Sequence, residues 1–119
     1  MIIIAGTLEF QDPHARDEAT KQSSVLQLAT REEEAGCCAY SFAPDPCVPT
    51  RIQVDELWSD EDSLSAHFKH PNYVAMRDLL RSCGLVGSET RKYRINLAEP
   101  VYDENHLPRA DFFTANPLD

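Results

Sequence analysis

The segment Arg51–Trp58 alternates strictly, with Ile52, Val54, Glu56 and Trp58 on one side and Arg51, Gln53, Asp55 and Leu57 on the other. A period of two demands a strand with one buried face. It runs straight into Ser59-Asp60-Glu61-Asp62, where a serine followed three residues later by an aspartate reads as a capping box. Leu64, His67 and Phe68 then share one helical face at i, i+3 and i+4. Pro71 restarts a helix carrying Val74, Met76, Leu79, Leu80 and Cys83, and Gly84 closes it. A half-buried strand joined without slack to a helix must lay that helix back over its own sheet, which already requires a layered α and β architecture.

The flanking elements complete the pattern. Ile2 to Phe10 reads as a first strand, ended by Gln11-Asp12-Pro13, where Asp12 suits an N-cap and Pro13 the first helical turn. The helix that follows runs to about Glu34, with Ala15, Ala19, Leu26 and Ala29 on one stripe and Val25 and Leu28 widening it. Glu32, Glu33 and Glu34 oppose the helix dipole, so exposure or fraying is expected there, and Gly36 stands where a C-terminal glycine should. Cys37 to Ala43 alternates with Cys38, Tyr40 and Phe42 on one face, and Pro44 to Pro49 must be a connection. A last strand is expected at about Ser88 to Leu97, with Tyr93, Ile95 and Leu97 on one side. The order is β-α-β-β-α-β, the α+β ferredoxin-like arrangement of helices over one face of an antiparallel sheet. Its second face needs cover, so a homodimer stacked sheet on sheet is expected.

At 119 residues, with 42% apolar residues, the chain holds one core. That core is assigned to residues 1–98. Residues 99–119 hold Pro100, Pro108 and Pro117, five acids and one arginine, a composition typical of disorder. Their aromatics are expected to pack on the partner subunit. The net charge of −9, from 20 acidic and 11 basic side chains, repels phosphate backbones and anionic lipid, so neither nucleic acid nor membrane is an expected partner. No run approaches the roughly 20 apolar residues of a membrane span, and Met1-Ile2-Ile3-Ile4 lacks the basic start of a targeting segment, so a cytoplasmic location is expected. Cys37, Cys38, Cys47 and Cys83 fit no zinc spacing. The vicinal pair is awkward for a disulfide, which reads as thiols in a reducing compartment, with a redox role as the alternative.

Candidate site residues crowd into Glu56–Tyr73, which gathers the only tryptophan, two of the four histidines and a tyrosine. Aromatic rings beside imidazoles and a carboxylate suit a pocket for a flat organic molecule. Trp58 reads as a pocket wall or a plain core ring. His67, on an apolar helix face, reads as a hydrogen-bonded core histidine or as a base or oxyanion donor. Glu56 faces inward, where a carboxylate needs a partner, such as an arginine across a dimer; as the alternative its pKa rises and it serves as general base. His70 precedes Pro71 and is read as a helix cap, with catalysis as the rival. Tyr40, Phe42, Tyr73 and Met76 are pocket walls or ordinary core.

The chain resembles the antibiotic biosynthesis monooxygenase family over about residues 1–98. The resemblance rests on Ala35-Gly36-Cys37-Cys38-Ala39-Tyr40-Ser41-Phe42, on Glu56-Leu57-Trp58, on Leu64-Ser65-Ala66-His67-Phe68 and on His70-Pro71-Asn72-Tyr73. It implies a dimeric α+β barrel that oxidises a small phenolic or quinol substrate with molecular oxygen and no cofactor. It further implies Trp58 at the pocket wall and His67 as base or oxyanion donor. No GxGxxG, HExxH or carboxylate–histidine triad spacing is present, and no metal or cofactor is expected.

Three positions depart from the pattern. One oxygenase branch has an asparagine four residues before the tryptophan, where this chain has Val54. The haem-degrading branch has a histidine ligand and an asparagine where Arg77 and Thr7 stand here, which disfavours haem degradation. The scaffold also leaves open a non-enzymatic aromatic-binding module and a cofactor-free isomerase or decarboxylase.

Overall fold

A computed structural model describes residues 1–114. Its elements are β1 (Ile2–Phe10), α1 (Pro13–Glu33), β2 (Cys37–Pro44), β3 (Arg51–Trp58), α2 (Glu61–Lys69), α3 (Pro71–Ser82) and β4 (Leu85–Arg94). The four strands form one antiparallel sheet in the order β2-β3-β1-β4. This is the α+β ferredoxin-like fold that the element order requires, with the second helical segment broken in two at Pro71. Ile52, Val54, Glu56 and Trp58 are all buried beneath the helices, as the alternation of β3 demands.

The ends of the elements have local causes. Asp12 accepts from Ala15 N at 2.7 Å and caps α1. The α2 cap is Asp60, whose side chain accepts from Ser63 N at 2.7 Å, one residue later than the Ser59–Asp62 capping box expected from sequence. His70 ends α2 and caps α3 by accepting from Asn72 N at 3.0 Å. Gly36 takes a left-handed φ of 82°, and a Cβ there would lie 2.1 Å from Ser63 Oγ. Only glycine lets the β2 strand start against α2.

Two expectations about faces hold only in part. On α1 Ala15 and Ala19 are buried and Leu26 packs on the core, but Ser23, Gln27 and Thr30 are buried as well, while Val25 and Leu28 are exposed. The helix lies along β2, an edge of the sheet, and Gln27 on its buried stripe, with Arg31 beside it, satisfies that edge, while Ser23 bonds within the helix. Gln27 Nε2 donates to Phe42 O at 3.1 Å, Phe42 N donates to Gln27 Oε1 at 2.9 Å, and Arg31 Nε donates to Tyr40 O at 2.6 Å. A side-chain amide thus stands in for a fifth strand. On β2 a register shift lies between Cys37 and Ala39, so Cys38 is exposed while Cys37 packs against the core.

Strand β4 spans Leu85–Arg94, earlier than the expected 88–97, because it begins directly at the α3 terminus and pairs Leu85 with Phe10. Ile95 and Leu97 follow the strand and do not belong to it. The sheet face away from the helices carries Ile3, which pairs with Leu57 on one side and Tyr93 on the other. Residues 99–114 form a closed turn. Asp103 accepts from Asn105 N and Leu107 N, and Arg109 N donates to Val101 O. Val101, Tyr102, Leu107 and Phe112 on this segment are exposed. Pro117 and the rest of 115–119 lie outside the described residues.

Candidate functional site

Between α3 and the sheet lies a cavity of about 410 Å³. The sheet contributes Ile4 and Leu8 of β1, Tyr40 and Phe42 of β2, and Val54 and Glu56 of β3. From α3 come Tyr73, Met76, Arg77, Leu80 and Arg81, one stripe at spacings of three and four. His67 and Phe68 of α2 close one end, and Ser88 and Thr90 of β4 lie at another edge. Such a space is large enough for a small aromatic molecule and is mostly apolar, with few polar groups converging on it.

Of the residues singled out from sequence, Glu56, His67, Tyr40, Phe42, Val54, Tyr73 and Met76 line this cavity. Two do not. Trp58 is fully buried behind the wall, and His70 lies on a smaller recess of about 310 Å³ shared with Glu33, Glu34, Asp62 and His67. The position of Trp58 follows from alternation: two residues beyond Glu56 on the same face, it sits one step deeper at the strand end, beneath α2.

Trp58 nevertheless joins the two titrating groups. Its Nε1 donates to Glu56 Oε1 at 2.9 Å, and its ring lies against the His67 imidazole with centroids 4.4 Å apart and planes 33° apart. Tyr40 and Tyr73 meet the same imidazole edge-on at 5.6 and 5.4 Å. The observed partner of Glu56 is therefore this indole N–H within the chain. Burial raises the Glu56 pKa to about 7, the Trp58 hydrogen bond opposes that shift, and the charge of Glu34 adds to it. Burial, with the charges of Glu56 and Glu34, pushes the Tyr40 phenol well above its usual value, so it stays a neutral wall. Burial and the same two carboxylates also raise the Cys37 thiol.

Glu34 is the residue that sequence reasoning missed. It was grouped with the exposed glutamates at the end of α1, yet its side chain is only 4% exposed. Its Oε1 lies 2.7 Å from His67 Nδ1, and its Oε2 accepts from Asn72 Nδ2 at 3.3 Å. The one available signal was the Gly36 turn, which swings the chain back under α2 immediately after Glu34.

Among the described residues neither His67 Nε2 nor Glu56 Oε2 has a hydrogen-bond partner. Among the described residues no sealed side-chain nitrogen or oxygen lacks a partner. Both atoms are therefore open to the space beside them. Among the described residues no three His, Cys, Asp or Glu side chains are placed to hold a metal ion, and no helix is long and apolar enough to cross a membrane.

The family model described as antibiotic biosynthesis monooxygenase matches residues 1–79, from β1 into α3. Two similar solved structures are described as candidate antibiotic biosynthesis monooxygenases. The protein from Deinococcus radiodurans is 23% identical over 87% of this chain and 100% of its own, with a TM-score of 0.69. The protein from Caulobacter crescentus is 19% identical over 82% and 90%, with a TM-score of 0.71. SnoaB, a cofactor-independent oxygenase from Streptomyces nogalater, is 12% identical over 83% and 96%, with a TM-score of 0.62. At these identities the likeness is one of fold. No curated protein matches this chain by sequence.

Proposed function

This chain belongs to the antibiotic biosynthesis monooxygenase family, and we propose that it oxidises a small phenolic or quinol substrate with molecular oxygen, without a cofactor. The observation that carries this reading is the convergence of His67 and Glu56 on one apolar cavity walled by Tyr40, Phe42, Val54, Tyr73 and Met76. An electron-rich phenolate reduces oxygen directly once its proton is gone. The protein then has only to bind the ring, take the proton and return one to the reduced oxygen. His67 takes the phenolic proton. The resulting anion passes an electron to oxygen, and the two radicals combine to a peroxide anion at a ring carbon, which takes the proton back from His67 and becomes a hydroperoxide. His67 then removes the C–H proton at that carbon as the O–O bond breaks, and Glu56, whose raised pKa keeps a proton available near neutral pH, protonates the departing hydroxide, which releases water and leaves a carbonyl. One oxygen atom enters the product and the other leaves as water.

In this scheme His67 does the work of the asparagine that Val54 replaces, and Trp58 holds Glu56 and backs the His67 ring without touching substrate. His70 serves as the α3 cap and not as a substrate contact. Arg77 and Arg81, at the α3 edge of the cavity, favour a ring with an anionic substituent.

Assembly belongs to the same proposal. Residues 1–98 form the catalytic domain of a homodimer. Ala39, Leu57, Ile3 and Tyr93 run side by side across the face that no helix covers, and stacking two such faces would bury them. The described part of the C-terminal extension, residues 99–114, would then lie on the partner, burying Tyr102, Leu107 and Phe112.

The test is oxygen uptake with a panel of hydroquinones and hydroxylated polycyclic phenols after metal chelation. Uptake is expected for the intact protein and to fall by about 10²-fold or more in His67→Ala. Uptake that is absent across the panel, or unchanged in His67→Ala, refutes it. Turnover that proceeds without oxygen would identify a proton-transfer isomerase or decarboxylase, and stabilisation by phenols without turnover would identify a binding module.

A further inference from the structure

Helix α1 ends at Glu33, and its C-cap Glu34 leaves the helical path with ψ of 120°. The left-handed turn at Gly36 follows, so the Glu34 side chain points inward beneath the α2–α3 junction. Its carboxylate is buried, and the groups around it are unusual for a structural ion pair. No lysine or arginine pairs with it among the described residues; Arg31, the nearest cation in sequence, is spent on Tyr40 O. Its contacts are His67 Nδ1 at 2.7 Å, Asn72 Nδ2 at 3.3 Å and, more distantly, His70 Nδ1 at 3.9 Å.

A buried carboxylate is costly, and a glutamine could tie the same helix ends together at lower desolvation cost. What the carboxylate adds is a negative charge against one face of an imidazole whose other nitrogen is open to the space beside it. A carboxylate in that position fixes which ring nitrogen carries the proton and stabilises the imidazolium when the ring takes a second one.

We propose that Glu34 is a positioning residue for proton transfer at His67, holding the Nδ1–H tautomer so that unprotonated Nε2 meets the ligand in the cavity. This rests on the reading that the cavity is where a proton is abstracted. The other titratable groups around His67 are Tyr40 from β2, Tyr73 from α3 and Glu56 from β3, across the Trp58 ring, with His70 on the same recess against Glu34. Glu33 and Asp62 stand beside the smaller recess. Only Glu34 bonds the ring directly. The recess also gives a small anion a route to the Glu34 position from outside the substrate cavity.

The experiment uses the full chain labelled with ¹⁵N in its histidines. In the unsubstituted protein the neutral His67 ring is expected as the Nδ1–H form. In Glu34→Ala it reverts toward the Nε2–H form that imidazole prefers in water, and added formate restores the original signal. Glu34→Gln, which keeps the shape and an oxygen to accept from His67 Nδ1 but removes the charge, covers the case in which the alanine variant does not fold. It is expected to lower kcat for any phenol that the protein oxidises by about 10²-fold with KM unchanged. A tautomer unaltered in Glu34→Ala, or a kcat unaltered in Glu34→Gln, overturns the proposal and leaves Glu34 a helix tie. If no phenol is oxidised by the unsubstituted protein, the oxygenase reading fails. The tautomer change and its rescue by formate then still support the positioning role.

Discussion

Replacing Glu56 with glutamine is expected to make the protein more stable at alkaline pH and to leave it nearly unchanged at acid pH. The carboxyl is 8% exposed, and burial moves its pKa from 4.5 to about 7. The folded protein therefore holds the Glu56 proton to higher pH than the unfolded chain does. Between about pH 4.5 and about pH 7 the folded state binds the extra proton, so stability falls as pH rises through this window and levels off above it. At about 1.4 kcal/mol per unit, ionising Glu56 inside the fold costs about 3 kcal/mol.

Glutamine keeps the acceptor for Trp58 Nε1 and cannot ionise, so Glu56→Gln removes that cost alone. Urea unfolding of both proteins at a series of pH values is the assay, because subtracting the two curves cancels every other titrating group. The difference is expected to be near zero at about pH 4 and below and to reach about 3 kcal/mol in favour of Glu56→Gln above about pH 8, or about 10 °C in Tm. Trp58, the sole tryptophan, supplies a second readout, since its fluorescence should titrate with the carboxyl it is bonded to. A difference that is flat with pH, or a glutamine variant less stable than the parent at pH 8.5, refutes the assignment of Glu56 as a buried carboxyl opposed by desolvation.

Two further outcomes test how the scaffold holds the cavity. Gly6→Ala places a Cβ 2.1 Å from Glu89 O and 2.6 Å from Thr90 Cα, where β1 meets β4. Backbone has to move, so a loss of about 2–3 kcal/mol in urea unfolding is expected, and a loss below about 0.5 kcal/mol would refute the close approach. Gln27→Met keeps the side-chain volume but strips partners from Phe42 N and Phe42 O. The expected cost is about 2–5 kcal/mol, with faster hydrogen exchange at the Phe42 amide; unchanged exchange there would mean that the β2 edge is satisfied in some other way.

Much of the fold was legible before any coordinates, and for a local reason. The period of two in Arg51–Trp58, the Asp12 cap, Pro13, Pro71 and the glycines Gly36 and Gly84 each specify backbone geometry through their own atoms. Strand β3 therefore matches its sequence bounds, and His70 caps α3 as read. Where the reading failed, the deciding partner was remote in sequence. The α1 stripe was expected to be apolar, and Ala15, Ala19 and Leu26 do pack on the core, but Gln27 is buried with them because β2 offers an unpaired edge that only tertiary packing brings beside it. Cys38 lost its expected face to a register shift against β3 that alternation alone does not reveal.

The candidate site divides in the same way. Sequence pattern placed Val54, Glu56, Tyr40, Phe42, Tyr73 and Met76 on faces that turn out to line one cavity, since face is a property of spacing. That Trp58 stands behind the wall, joining Glu56 to His67, depends on how far α2 sits above the strand end. That Glu34 is buried against His67 depends on a contact spanning 33 residues, which no local pattern encodes. By itself the sequence determined the elements, their order and the faces of the strands, because these follow from nearest-neighbour geometry. Only the tertiary structure decided which carboxylate meets which imidazole, because hydrogen-bond chemistry acts over about 3 Å between groups that the chain holds far apart.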